Sequence, residues 1–335
     1  MLAKLQPSDG WVERKYGFKS RPGLLLAINE ASKSSRLQPG RERLGGSKDR
    51  NNMKEILVTG SSGYIGSHLL KKIVGNSLYR ISGIDKENPD TIHPDKFHYG
   101  DIRNDNYLKY RYSFDCVVHL AAEMRVGESV KDPILYYETN VLGTLNVLRN
   151  IKTKHFIFAS TGAVEGLASP YAISKKSAEE IVIQYCLEND IQYTIFRFYN
   201  IIGSDSIPIK NPNGLFYNLL KSKDTGVFTI FGNDYDTKDG TCVKDYVHVN
   251  EICESIILSL NKPANRIENL GHGEGTSLLD MFNIFKRVNN LDTSLKYGPR
   301  RDGDIPLNVL KDKSAYIKRL YSVEDLLKDT GIRYK

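Results

Sequence analysis

Tyr171 and Lys175 stand four residues apart in Tyr171-Ala172-Ile173-Ser174-Lys175, and residues of these types can handle a proton together. At helical spacing both side chains project from one face. A phenol with a pKa of about 10 is a poor base at neutral pH, but a nearby ammonium stabilises the phenolate and lowers that value. Upstream runs Thr59-Gly60-Ser61-Ser62-Gly63-Tyr64-Ile65-Gly66, a glycine-rich turn able to seat a pyrophosphate. The two features together point to hydride transfer, in which a dinucleotide takes the hydride and Tyr171 the accompanying proton. Thr161, ahead of the pair, offers a hydroxyl that can bond a substrate hydroxyl or share the proton. Y-x-x-x-K arises by chance in a chain with 20 tyrosines, so the glycine turn is what gives it weight.

Gly60, Gly63 and Gly66 follow a strand-like run and open a helical one. Glycines permit a tight turn and close backbone approach, and the helix N-terminus presents unpaired N–H groups to phosphates. Asp85 ends the next strand-like run, 19 residues beyond Gly66. A carboxylate there can bind ribose hydroxyls and repels a 2′-phosphate, which favours NAD over NADP. The competing reading is a plain turn residue, and the cation of Lys86 lies beside it. Asp101 and Ile102, after Gly100, are placed to border an adenine.

These residues need a frame to hold them. From Lys54 the chain alternates, with strand-like runs at 55–59, 80–84, 115–120, 155–160 and 192–198 and helical patterns at 65–75, 132–151 and 174–188. Such alternation predicts an α/β fold with a doubly wound parallel sheet. After Asn200 the pattern is broken by Gly203, Pro208, Pro212 and Gly214, and a smaller lobe is expected from there. Helical patterns resume at 249–261, 276–289 and 322–329. The expected division is residues 53–202 for the dinucleotide domain, with a return near 243–260, and mainly 203–335 for the substrate lobe.

Length and charge bound the rest. The 335 residues are enough for one large domain plus a smaller lobe, and 40% of them are apolar. Of 47 Lys and Arg and 40 Asp and Glu, residues 1–52 hold 11 and 5, so 36 and 35 remain for the body. The net charge of +7 therefore belongs largely to a basic segment, expected to be a disordered extension or a non-native start, and no nucleic acid is expected as partner. Cys116, Cys186, Cys242 and Cys253 are widely spaced without C-x-x-C, which reads as reduced cytoplasmic thiols and no metal site. No apolar run reaches membrane-spanning length, so no membrane is expected.

Over about residues 53–325 these motifs resemble the extended short-chain dehydrogenase/reductase superfamily, and within it the UDP-glucose 4-epimerase family. The resemblance is carried by Val126-Gly127-Glu128-Ser129-Val130, Tyr136-Tyr137 and Asn140-Val141-Leu142-Gly143-Thr144. It is most specific in the string Phe231 to Thr241 followed by Val243-Lys244-Asp245-Tyr246-Val247-His248-Val249, and is completed by Arg300-Arg301-Asp302-Gly303-Asp304. It implies a Rossmann-like NAD domain with a smaller C-terminal nucleotide-sugar-binding lobe. It further implies that Gly60, Gly63, Tyr64, Ile65 and Gly66 hold the pyrophosphate of NAD, Asp85 the ribose, and Asp101 and Ile102 the adenine. Leu120, Ala121, Ala122 and Tyr199 would line the cofactor. Tyr171 would be the catalytic base, Lys175 its electrostatic partner and Thr161 the hydroxyl residue. Asn200, Leu215, Phe231, Lys244, Arg301 and Asp304 would bind the uridine diphosphate of a UDP-sugar. A homodimer through the helices at 132–151 and 174–188 is implied as well.

Several positions depart from the family pattern. Met124 replaces a common lysine, with Arg125 beside it; Lys244 replaces an arginine; Glu165 replaces a tyrosine; Gly214 replaces an asparagine. Lysine keeps the charge but not the bidentate fork, and a surface pair with Asp245 is the competing reading for Lys244. The stretch from Thr161 to Tyr171 is also short. Related dehydratases and decarboxylases place acids just after the threonine, where this chain has Gly162 and Ala163. Without a local proton carrier, simple oxidation and re-reduction at C4 is favoured. A related dehydratase or reductase, and an inactive nucleotide-sugar-binding protein, are the alternative readings. Glucose, N-acetylglucosamine and a pentose all stay open as the sugar, with Asn308 where side-chain size bears on an N-acetyl group.

Overall fold

The computed structural model describes residues 53–105, 113–208, 214–301, 303–311 and 316–328; the basic segment 1–52 lies outside the described residues. Its first strand, β1 (Lys54–Thr59), and β2 (Tyr79–Asp85), β3 (Lys96–Tyr99), β5 (Cys116–His119), β7 (His155–Thr161), β8 (Gln192–Phe198) and β12 (Arg266–Leu270) form one sheet. The order is β12-β8-β7-β5-β1-β2-β3, and every pairing is parallel. Two-residue strands β4 (Ser113–Phe114) and β6 (Lys152–Thr153) pair outside it.

Alternate residues of the central strands feed two cores. Ile56 and Val58 belong to one, Leu57 to the other, and Ile157 and Phe158 divide likewise. A sheet buried on both faces needs such near-continuous apolar strands. On the first face lie α1 (Tyr64–Ile73) and, far along the chain, α7 (Val249–Asn261), which contributes Ile252 and Ile256. On the second lie α4 (Gly143–Asn150) and α5 (Pro170–Glu188), through Val147, Ala178 and Val182. Short helices α2 (Val126–Lys131) and α3 (Pro133–Tyr137) precede α4, and the π-helical turn Glu138–Leu142 joins α3 to it.

Helix α5 starts at Pro170, four residues before the helical pattern at 174–188. Ser169 caps it by accepting the Ala172 N–H at 3.2 Å, and proline is tolerated in the first turn. The early start places Tyr171 inside the first turn. Strand β3, rich in polar and aromatic residues at the sheet edge, carries no strong alternation and was not among the expected strands.

The remaining chain forms smaller sheets. Strand β11 (Val243–His248) pairs in parallel with β9 (Asn200–Ile202) and β15 (Leu307–Asn308), and antiparallel with β13 (Gly275–Ser277). Strand β10 (Val227–Phe231) pairs with β14 (Ser294–Gly298). A third core gathers α6 (Leu215–Thr225), α8 (Leu278–Asn289) and α9 (Val323–Leu327) through Phe216, Leu219, Phe282, Phe285 and Leu326. The chain also returns to the large sheet after β11, contributing α7 and then β12 as its seventh strand. Among the described residues no helix is long and apolar enough to cross a membrane, and no cluster of metal-ligand side chains occurs. All four cysteines are free and buried.

Candidate active site

Strand order reverses between β1 and β5, and ligands of open α/β sheets bind beyond the carboxyl ends of the strands at such a point. Thr59, Asp85, His119 and Thr161 all end strands of this sheet.

The proton-handling residues converge here. Tyr171, in the first turn of α5, faces Thr161 at the end of β7, near enough for the threonine hydroxyl to bear on its pKa. Burial pushes the phenol up to about 12; the Thr161 hydroxyl pulls against that rise, and Tyr136 adds to it. Lys175 follows one turn along, only 3% exposed, with Nζ 4.1 Å from the centroid of the Phe158 ring. Burial drives its pKa down to about 7, opposed by the negative charge of Glu179. Burial thus moves the ammonium towards neutral pH and the phenol away from it, so the phenol needs added positive charge to ionise.

The glycine turn has the shape a dinucleotide requires. Gly60 sits at φ +71°, and a Cβ there would lie 2.7 Å from the Ala121 nitrogen. A Cβ on Gly66 would lie 2.2 Å from the Gly60 carbonyl oxygen. Two close backbone approaches thus pack the turn between the first turn of α1 and the loop after β5, with no room for a side chain. By helix geometry the N–H groups of Tyr64, Ile65 and Gly66 are unpaired within α1 and face the turn. The Ile65 side chain joins the core, and the Tyr64 hydroxyl donates to the Gly203 carbonyl, so both contribute backbone to the turn. Asp85 accepts the Ser62 N–H at 2.9 Å and the Glu87 N–H at 3.0 Å. Its pKa is raised by burial against these bonds. Lys86 is held by Glu123 at 2.9 Å.

Beyond the turn, Leu120 donates its N–H to Thr59 O at 3.1 Å and Ala121 to Thr59 Oγ1 at 3.3 Å, and half-buried Ala122 follows. Asp101 is forked by Arg103, which holds its carboxyl below the usual range. Ile102 is buried in the second core. The Tyr199 ring lies across Gly162, where a Cβ would come within 2.9 Å of it, so the position after Thr161 has no space for an acidic side chain. Met124 is exposed, and Arg125 is paired to Glu128 at 2.9 Å.

On the far side, Lys244 stands opposite Asn308 in the β11–β15 register, and Tyr246 stands opposite Asn200. Strand alternation puts Lys244, Asn308 and Asn200 on one face. Asp245 turns the other way, fully buried, where it accepts the N–H groups of His272 at 3.0 Å and Gly273 at 2.8 Å. It therefore forms no surface pair with Lys244. The Arg301 guanidinium lies 3.9 Å from the centroid of Phe231, and the Asp304 N–H donates to Arg301 O at 3.2 Å. Leu215 opens α6, packed against the third core.

Four supporting residues were assigned no role from sequence. Tyr136 clamps Arg125, donating to its carbonyl at 2.7 Å and accepting its N–H at 3.1 Å, and meets Tyr171 edge-on at 6.3 Å. Asn140, in the π-helical turn, pairs both backbone groups of Glu123 at 2.9 Å and donates to Ser174 at 3.0 Å. His119 is hydrogen-bonded to Thr59 at 2.6 Å and Thr144 at 3.0 Å, and burial lowers it to about 3, so it is neutral. Glu179 is fully buried behind Lys175. Local spacing carries no signal for the first three; Glu179, four residues beyond Lys175, shares its helix face.

The sequence profile of the NAD dependent epimerase/dehydratase family matches residues 56–271. A UDP-glucose 4-epimerase from Lactobacillus helveticus is 34% identical over 288 residues, spanning 75% of this chain and 86% of that one. The crystal structure of UDP-glucose 4-epimerase from Bifidobacterium longum in complex with NAD+ and UDP superposes with a TM-score of 0.73 at 25% identity, covering 82% of this chain and 96% of that one. The Thermotoga maritima UDP-glucose 4-epimerase with UDP-glucose gives a TM-score of 0.72 at 28% identity, over 82% and 96%.

Proposed function

The chain belongs to the NAD dependent epimerase/dehydratase family, and from that membership we infer that it interconverts the C4 epimers of a UDP-sugar, with NAD as cofactor. The observation that carries this is Tyr171 facing Thr161 with Lys175 one turn along, on the sheet whose first strand ends in a glycine turn built for a dinucleotide.

Gly60, Gly63, Tyr64, Ile65 and Gly66 would hold the pyrophosphate through backbone, Asp85 the ribose, and Asp101 and Ile102 the adenine side; Leu120, Ala121, Ala122 and Tyr199 would line the rest. NAD, when bound, would supply the hydride acceptor for C4, the donor for its return and a positive charge. Tyr171 takes the 4-hydroxyl proton and later gives it back. The Lys175 ammonium stabilises the phenolate, and Thr161 orients the sugar hydroxyl. Asn200, Leu215, Phe231, Lys244, Arg301 and Asp304 grip the UDP end. A firm hold there with a loose one on the sugar lets the 4-keto ring turn without escape. The missing space for an acid at Gly162 disfavours elimination. We assign UDP-glucose and UDP-galactose as the substrate pair, after the relatives.

We divide the chain as read from sequence, residues 53–202 with their return for NAD and mainly 203–335 for substrate. A homodimer through α3, α4 and α5 is supported by the exposed apolar side chains of Ile134, Tyr137, Leu142, Leu145 and Ile173, with Ile134 64% exposed. Buried free thiols favour the cytoplasm.

Incubation with UDP-glucose, UDP-N-acetylglucosamine and UDP-arabinose, followed by chromatography, tests the function. Interconversion of 4-epimers without net NADH formation is expected. An accumulating keto product indicates a dehydratase, and net consumption of NADH a reductase. No product from any of them in an NAD-loaded protein indicates a binding protein.

A further inference from the structure

Behind the proton-handling pair lies a charged cluster that the reaction as derived does not use. Glu179 is 0% exposed, yet its carboxylate is ionised: the hydrogen bonds it receives outweigh its burial and hold its pKa below the usual carboxylate range. Ser160 Oγ donates to Oε1 at 2.6 Å. Arg197 forks it, Nε to Oε1 at 2.8 Å and Nη2 to Oε2 at 2.7 Å. Lys176 lies at 3.4 Å and is itself bound to Glu180 at 2.6 Å.

The placement of these partners is specific. Ser160 and Arg197 are direct register partners across β7 and β8, so one carboxylate ties both strands to α5. Thr161 is the next residue after Ser160. Phe158, two residues before Ser160 on the same face of β7, lies under the Lys175 ammonium. Helix α5 is therefore set on β7 at two points one helical turn apart, Lys175 on Phe158 and Glu179 on Ser160. Tyr171 occupies the next turn towards the helix start and meets Thr161. A buried ion pair contributes little net stability compared with apolar packing of the same shape. Short charge-assisted bonds do fix direction and distance, which apolar contacts do not.

We propose that Glu179 is a positioning residue of this site, anchoring the end of β7 to α5 so that the Thr161 and Tyr171 hydroxyls stay facing each other. The proposal rests on the epimerase reading above. Its role differs from that of Tyr171, because Glu179 is fully buried and acts through Ser160 and the helix.

The test uses Glu179→Gln and the milder Ser160→Ala, which removes one hydroxyl and leaves the Arg197 fork in place. For each variant, kcat per NAD-loaded site, KM, UDP affinity and Tm are measured, and the crystal structure is solved. Loss of register should lower kcat per loaded site about 10- to 100-fold. KM and UDP affinity should stay within about twofold, since the UDP grip is remote. In the crystal structures the Thr161 and Tyr171 hydroxyls should stand farther apart than in the wild type. A loss confined to Tm or to the number of loaded sites, with kcat per site and the wild-type separation of those hydroxyls retained, overturns the proposal. Should Glu179→Gln fail to fold, Ser160→Ala decides alone. A wild-type protein that converts no UDP-sugar sinks the epimerase reading instead, and the Ser160→Ala crystal structure then still decides whether Glu179 sets the register.

Discussion

Replacing Gly66 by alanine separates a cofactor turn from an ordinary helix start. Taken alone, the helix favours alanine by about 1 kcal/mol. The packing opposes it. The added Cβ would sit 2.2 Å from the Gly60 carbonyl oxygen, 2.8 Å from the Ser61 carbonyl oxygen and 2.9 Å from its carbon. Non-bonded atoms settle at about 3.5 Å or beyond, so helix and turn must part by about 1 Å. Gly60 O also accepts the Gly63 N–H at 3.1 Å, a bond that this movement strains. Overpacking costs about 1–3 kcal/mol and a lost turn hydrogen bond about 0.5–1.5, which together exceed the propensity gain. A net loss of roughly 1–3 kcal/mol is expected in urea denaturation of the NAD-free protein. NAD affinity, measured by calorimetry, should fall about 10- to 100-fold as the first-turn amides leave their positions. Gly166→Ala is the control, since a Cβ there meets nothing within 4 Å. Wild-type stability and NAD affinity in Gly66→Ala would show that helix and turn are not packed against each other, and the cofactor assignment of the turn would fall with it.

Three further outcomes can be checked. Tyr171→Phe should cut turnover by roughly 10²- to 10⁴-fold while leaving NAD bound, because the neighbouring Thr161 hydroxyl is a far weaker base; near-wild-type turnover removes Tyr171 from the mechanism. Lys175 is held near a pKa of about 7 by burial, against 10.5 when free, so the unfolded chain binds the extra proton between those values. Lys175 should therefore contribute stability that grows with pH across that window in the NAD-free protein, so the stability of wild type relative to Lys175→Met, from thermal denaturation at several pH values, should increase with pH; a difference that does not change with pH contradicts the assignment. Lys244→Ala should weaken UDP binding about 10- to 150-fold, the equivalent of one charge-assisted hydrogen bond, while Lys244→Arg keeps or tightens it; calorimetry showing equal affinity in all three proteins would place Lys244 outside the site.

The local half of this protein is written in its sequence. Tyr171 and Lys175 share a face because the helix repeat fixes where residues four apart point, and the glycines at 60, 63 and 66 name their turn because only they fit it. Alternating strands and helices with short connections leave few topologies besides the parallel sheet. Even the start of α5 was readable, since Ser169 followed by Pro170 is a capping signal that the apolar pattern at 174–188 masks. Strand β3 was not readable, because an edge strand needs no continuous apolar run. The rest required the tertiary structure. Thr161 meets Tyr171, Ser160 and Arg197 meet on Glu179, and Tyr136 clamps Arg125 only once strand register and helix docking are set. Asp245 illustrates the reason. Beside Lys244 in sequence it reads as a surface partner, yet strand alternation turns it inward to the amides of His272 and Gly273. Spacing along one element is fixed by backbone geometry, whereas the partner across elements is chosen by which segments pack together, and no local pattern encodes that choice.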